Sequence, residues 1–273
     1  AGVFLWTGID YLGEASGKWP KKGSGSGLLD LAGFEKPRYH MFKSLWNNEP
    51  HIYISSQKLK DSEYEIDSKG KISYKKKEGW KFKTWKWQDV NEHWNYVHDE
   101  QIIVEVISNI DSVELFLNDQ SLGMKYLSDF PDRIYKWLVP FREGKLVAKN
   151  QKMEATIQTA LEPATILLTT DKKQLNSDGY DVAHIIARLF DKKGNPVLHS
   201  NKKITFSIQG NVRSLGVDNG SNTNPGPYNS NTVITNNGVA MLIVQSHKGA
   251  KGTVKVKALG NTLRSNTIEL NFE

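Results

Sequence analysis

Cysteine is absent from this 273-residue chain. Disulfide scaffolds, zinc–cysteine sites and cysteine nucleophiles are thereby excluded. Long apolar runs are absent too. Ile102–Ile107 is interrupted by Glu105 and falls far short of the roughly 20 residues that a membrane-spanning helix needs. Tryptophan is missing from the C-terminal half, because all eight lie at or before Trp137. A concentrated charge of one sign is also lacking. The net charge of +6 comes from 36 Lys and Arg against 30 Asp and Glu, spread thinly along the chain. A nucleic-acid binder gathers its positive charge on one face, so no nucleic-acid partner is expected. The densest stretch, residues 71–86, holds seven Lys with Trp80, Phe82 and Trp85 between them. Its alternation has the strand period of two and predicts a strand pair with Lys outward and aromatics inward.

Several chemical motifs are missing as well. There is no Gly-rich phosphate loop and no nucleophile elbow. His93 and His98 are five apart and would face opposite sides of a strand, with no third ligand evident. Asp218-Asn219-Gly220-Ser221-Asn222 lacks the downstream acid of a calcium loop and reads as a turn. No metal and no cofactor are therefore expected. The first residues, Ala1 to Trp6, lack an initiator Met and the features of a signal peptide. They read as a buried strand that begins in mid-fold, so the chain reads as the C-terminal piece of something longer.

What is present is ordinary globular composition, 38% apolar and 24% charged, at a length that predicts about two domains. Residues 1–50 hold one apolar run, a loop rich in Gly, Ser and Lys (13–27), and a helical pattern after Pro37. That pattern places Tyr39, Phe42, Leu45 and Trp46 at helix spacing and ends before Asn47. Residues 51–160 switch to period two, with strands at Ile102–Ile107, Val113–Leu117, Trp137–Pro140 and Lys145–Ala148. The pair Asn118-Asp119 marks a hairpin turn. Residues 161–273 carry further short strands at 165–168, 183–190, 203–208, 239–244, 253–258 and 267–272, packed with aliphatic residues and not indoles. The pattern predicts a mainly β chain of two β-sandwiches, with a break between Gln158 and Thr165 where Glu162-Pro163 interrupts any central strand.

The segment richest in chemistry is Trp6-Thr7-Gly8-Ile9-Asp10-Tyr11-Leu12-Gly13-Glu14. A strand there delivers Trp6, Asp10, Tyr11 and Glu14 to the loop at its C-terminal end, the active-site face if the strand belongs to a (β/α)8 barrel. An indole covers the apolar C–H face of a sugar ring, and carboxylates accept its hydroxyls. Taken alone, Asp10 and Glu14 fit the acid/base pair of a glycosidase. Equally, Trp6 fits a core tryptophan and Asp10 a loop cap. Spacing alone leaves these open.

Four groups of motifs carry a resemblance. They are the stretch from Trp6 to Glu14 with Trp19-Pro20, and Gly27–Phe34 with Lys36-Pro37-Arg38-Tyr39. The other two are Ser108–Asn118 after His93-Trp94-Asn95, and Asp191–Val197 with Gly216–Gly220. Taken in order, these resemble the end of the barrel and the following sandwiches of glycoside hydrolase family 2, in its bacterial β-galactosidase-type branch. The resemblance implies a partial (β/α)8-barrel remnant of one strand, loop and helix (1–50). Two Ig-like sandwiches follow it, the last of them invasin-like. It implies a retaining exo-glycosidase acting on a carbohydrate substrate. The proton-donor and nucleophile glutamates would lie upstream of Ala1, so no catalytic residue is assigned here. Trp6 and, less directly, Asp10 carry a substrate-binding role. The alternative is a non-catalytic glycan-binding or adhesion module. A periplasmic or secreted bacterial location is expected. Residues 1–46 are expected to fold back on the first sandwich or to self-associate with another copy.

Overall fold

In the computed structural model, residues 2, 4–75 and 89–273 are described. Most of the Lys-rich strand pair expected at 71–86 lies outside them. The chain forms two compact units. One contains residues 36–159, and the other combines the N-terminal segment up to Glu35 with Ala160–Glu273.

The N-terminal segment holds a two-residue pairing of β1 (Tyr11–Leu12) with β2 (Gly23–Ser24). In the unit of residues 36–159, α1 (Pro37–Trp46) opens with Pro at its first turn, where the missing amide is harmless. Next come β3 (Ile52–Lys58), β4 (Tyr64–Ile66), β5 (Ile72–Tyr74), β6 (Gln101–Ser108), β7 (Ser112–Leu117), β8 (Gln120–Tyr126), β9 (Ile134–Pro140), β10 (Lys145–Lys149) and β11 (Glu154–Gln158). The antiparallel sheet β3-β6-β9 faces the antiparallel sheet β11-β10-β7-β8. Ile54, Val104, Trp137, Leu115 and Leu146 are among the residues that fill the core between them. Asn118 and Asp119 join β7 to β8 with φ of +50° and +66°, the backbone of a two-residue hairpin that matches strand twist.

The outer face of β3-β6-β9 is not left to solvent. Met41 of α1 packs with Tyr53, Ile107 and Ile134 there. The apolar residues Leu45 and Trp46, which share the helix, are exposed instead. Further along that face Tyr64 donates to Glu105 Oε1 at 2.5 Å, and Gln57 Nε2 adds a second donor at 3.3 Å.

The other unit continues with β12 (Pro163–Thr170), β13 (Gln174–Leu175), β14 (Val182–Asp191), β15 (Lys203–Gln209), β16 (Val212–Asp218), β17 (Thr232–Ile234), β18 (Val239–Ser246), β19 (Thr253–Leu259) and β20 (Ile268–Phe272). The sheets run β12-β14-β18-β16 and β13-β20-β19-β15-β17. β14 alternates buried and half-buried residues along its whole length, the signature of a strand with one face on the core. Ile185, Leu189, Phe206, Leu242 and Val256 belong to that core. Pro163 opens the edge strand β12, where no ladder donor is missed. β11 and β12 lie in different sheets.

Two expectations are corrected. Residues 4–8 form no strand, and Phe4 is 99% exposed, so the buried barrel strand is not formed. A strand needs a ladder partner, and the pairing of this segment begins only at Thr7, with Thr7–Asp10 bonded to residues 26–29. Nor do all of residues 1–46 fold on the first sandwich. The helix does, whereas the segment before Lys36 packs with the second.

Candidate functional site

Trp6 stands at the surface, 71% exposed. Its indole N–H donates to the Tyr11 hydroxyl at 3.1 Å, and the two rings meet edge to face at 6.2 Å. Tyr11 in turn donates to the Glu14 carboxylate. The polar edge of the indole is thus turned to its neighbour while most of the side chain remains open to solvent. Trp19 is a second exposed indole on the same loop. Tyr11 sits on β1, and Glu14 follows Gly13 in a turn where both have positive φ.

Asp10 behaves differently. It is 6% exposed, and its Oδ1 accepts the Gly27 amide at 2.7 Å. Backbone hydrogen bonds run beside it. Asp10 N donates to Leu29 O, Leu29 N to Gly8 O and Leu28 N to Thr7 O, all within 3.0 Å. Gly27 is required at this crossing, because a Cβ there would lie 2.2 Å from the Asp10 amide nitrogen. Asp10 therefore ties the returning arm of the loop to the segment that carries Trp6. That contact is the one a loop cap makes.

Sequence reasoning missed what lies behind this loop. Asp30 Oδ1 accepts from the Ala32 and Phe34 amides at 2.9 Å each. Burial lifts its pKa to about 6, with Asp218 and Asp10 adding smaller repulsions. Gly220, with φ of +77°, abuts this carboxylate, and a Cβ there would fall 1.9 Å from Asp30 Oδ2. The sequence signal was only the turn Asp218-Asn219-Gly220, which names the turn and not what docks on it.

Residues 166–269 match the model of glycoside hydrolase family 2 C-terminal domain 5, and residues 99–157 match a domain of unknown function, DUF4982. The beta-galactosidase BoGH2A of Bacteroides ovatus is 28% identical across all of this chain, which spans 28% of that protein. A putative beta-glucuronidase of Formosa agariphila is 28% identical over 82% of the chain and 19% of its own length. The solved structure of a glycosyl hydrolase family 2 member from Bacteroides cellulosilyticus superposes with a TM-score of 0.83 at 28% identity. That match covers 98% of this chain and 35% of the other. Across its length the chain is thus similar to the C-terminal part of glycoside hydrolase family 2 members, and residues 166–269 match a C-terminal domain of that family. It spans less than a third of the curated relatives it matches. Among the described residues no helix is long and apolar enough to cross a membrane, and no group of three or more potential metal ligands occurs.

Proposed function

We propose that this chain is the C-terminal part of a retaining exo-glycosidase, a β-galactosidase, whose substrate-side face includes Trp6. The observation that carries the reading is the exposed Trp6 side chain, held by Tyr11 through its polar edge and so left with an apolar face to offer. The apolar C–H face of a pyranose fits such a surface. Asp10 serves the same subsite through the loop it holds at Gly27. Retaining chemistry needs two carboxyl groups about 5–5.5 Å apart across the scissile bond. On the family resemblance both belong to the part of the protein preceding this chain, so this chain alone turns over no glycoside. A galactoside is favoured over a glucuronide because a relative that matches across the whole chain is named a beta-galactosidase.

The test is hydrolysis of nitrophenyl β-galactoside and nitrophenyl β-glucuronide by the longer protein, beside the isolated chain. Turnover of the galactoside by the longer protein alone is expected. Turnover of the glucuronide only would move the sugar assignment. Turnover by the purified chain itself would overturn the placement of the catalytic carboxyls. A micromolar Kd of the isolated chain for galactose would favour a glycan-binding module.

A further inference from the structure

Resting on that glycosidase reading, we propose that the loop from Asp218 to Tyr228 of the second sandwich is a positioning element for the sugar site, clamping the loop that carries Trp6 and Asp10. The contacts are specific and lie on both arms of the N-terminal loop. Lys22 N donates to Asn222 O at 2.9 Å on one arm, and Leu31 N donates to Gly220 O at 3.3 Å on the other. Lys22 Nζ lies 4.0 Å over the centre of the Tyr228 ring. Asp30 fills the space that Gly220 leaves by having no side chain.

The clamp is braced by hydrogen bonds of its own. Asp218 Oδ1 accepts the Asn219 and Gly220 amides, Asn219 Nδ2 donates to Ile234 O, and Val217 N donates to Tyr228 O. A loop already ordered by its own hydrogen bonds loses little conformational freedom when it docks a second segment. The connection to the site is short. Residues 26–29, between the two docked arms, make the backbone bonds to Thr7–Asp10 and the Gly27 bond to Asp10. Trp6 is the next residue. Displacing the clamp therefore displaces the indole without touching it.

Two measurements on the same variants test this. Hydrogen exchange of the peptide spanning residues 20–32 is followed by mass spectrometry in this chain. KM and kcat for the nitrophenyl glycoside are measured in the longer protein. Tyr228→Phe keeps a ring beneath Lys22 and is expected to match wild type in both. Tyr228→Leu removes the ring, and Gly220→Val drives a side chain into Asp30. Both are expected to exchange faster over 20–32, while β14 and β18 keep their protection. KM should rise about 2–30-fold, the range of a lost cation–π contact, with kcat within about twofold. Simple loss of folded protein would instead lower kcat and leave KM unchanged. Unchanged KM despite faster exchange over 20–32 overturns the positioning role and leaves the glycosidase reading standing. Unaltered exchange in both variants overturns the clamp. A longer wild-type protein that hydrolyses no glycoside removes the glycosidase reading, and the positioning role with it. If Gly220→Val loses protection throughout, the comparison of Tyr228→Leu with Tyr228→Phe decides.

Discussion

Asp30 is a carboxyl whose charge opposes the fold. Its pKa of about 6 stands above the usual 3.8, mainly through burial. The folded chain therefore holds a proton between about pH 4 and 6 that the unfolded chain has released. Its stabilising effect is complete below pH 4 and is lost as pH rises through 6. Asp30→Asn keeps an oxygen for the Ala32 and Phe34 amides and removes the charge. It should stabilise the chain by about 1 kcal/mol at pH 7.5, a figure reduced for the solvent that reaches the group, and by nothing at pH 4. Thermal unfolding at the two pH values checks this. An equal shift at both would mean that packing, not ionisation, sets the effect. None of this was legible in the sequence, where Asp30 sits in an unremarkable Leu29-Asp30-Leu31. Its surroundings are supplied by Gly220 and Asp218, some 190 residues away in the chain. Trp6 and Asp10 were legible as candidates because their types are rare together. Their division of labour was not, since spacing cannot tell an exposed indole from a buried one.

Among the elements, strands with one face on a core were the easiest to read. β19 alternates cleanly in burial and in sequence, whereas β14 alternates in burial alone, with Val182, Ile186 and Phe190 on its half-buried face. The turn Asn118-Asp119 was legible for the same local reason, because its backbone requires residues that tolerate positive φ. Helix α1 was legible in its bounds and not in its orientation. Met41 and Ser44 are buried while Leu45 and Trp46 are not, because the sheet beneath offers only a narrow patch at Tyr53, Ile107 and Ile134. Phe4, Leu5 and Trp6 form no strand, because an apolar composition does not by itself supply a ladder partner. β3 and β6 are buried on both faces, so no alternation marks the polar residues Ser55, Gln57 and Glu105 on their outer side. There burial raises the pKa of Glu105, while the Tyr64 hydroxyl opposes that shift by donating to it. Tyr64→Phe should cost about 1–3 kcal/mol by leaving a buried carboxyl oxygen short of a donor. Glu105→Gln should cost less, since a neutral amide is cheaper to bury than a carboxylate. Urea unfolding of both variants is the check. A larger loss in Glu105→Gln than in Tyr64→Phe would mean that the carboxylate's charge is itself stabilising.

At the scale of the whole molecule, the chain is two units of unequal make-up. One is a sandwich with a helix on its outer sheet. The other is a sandwich that carries the N-terminal loop as an appendage. Phe4, Trp6, Leu12 and Trp19 leave that appendage with more exposed apolar surface than scattered surface residues explain. On the proposed reading, the rest of the glycosidase covers part of it and the sugar covers the indole. The most direct measurement is steady-state hydrolysis of a nitrophenyl β-galactoside by the longer protein, comparing wild type with Trp6→Ala. Losing an apolar platform about half covered by the ring is worth about 1.4 kcal/mol, so KM should rise about tenfold. Since such a contact binds substrate and transition state alike, kcat should change far less. Wild-type KM and kcat in Trp6→Ala would contradict the account, leaving Trp6 as a surface residue without a part in the reaction.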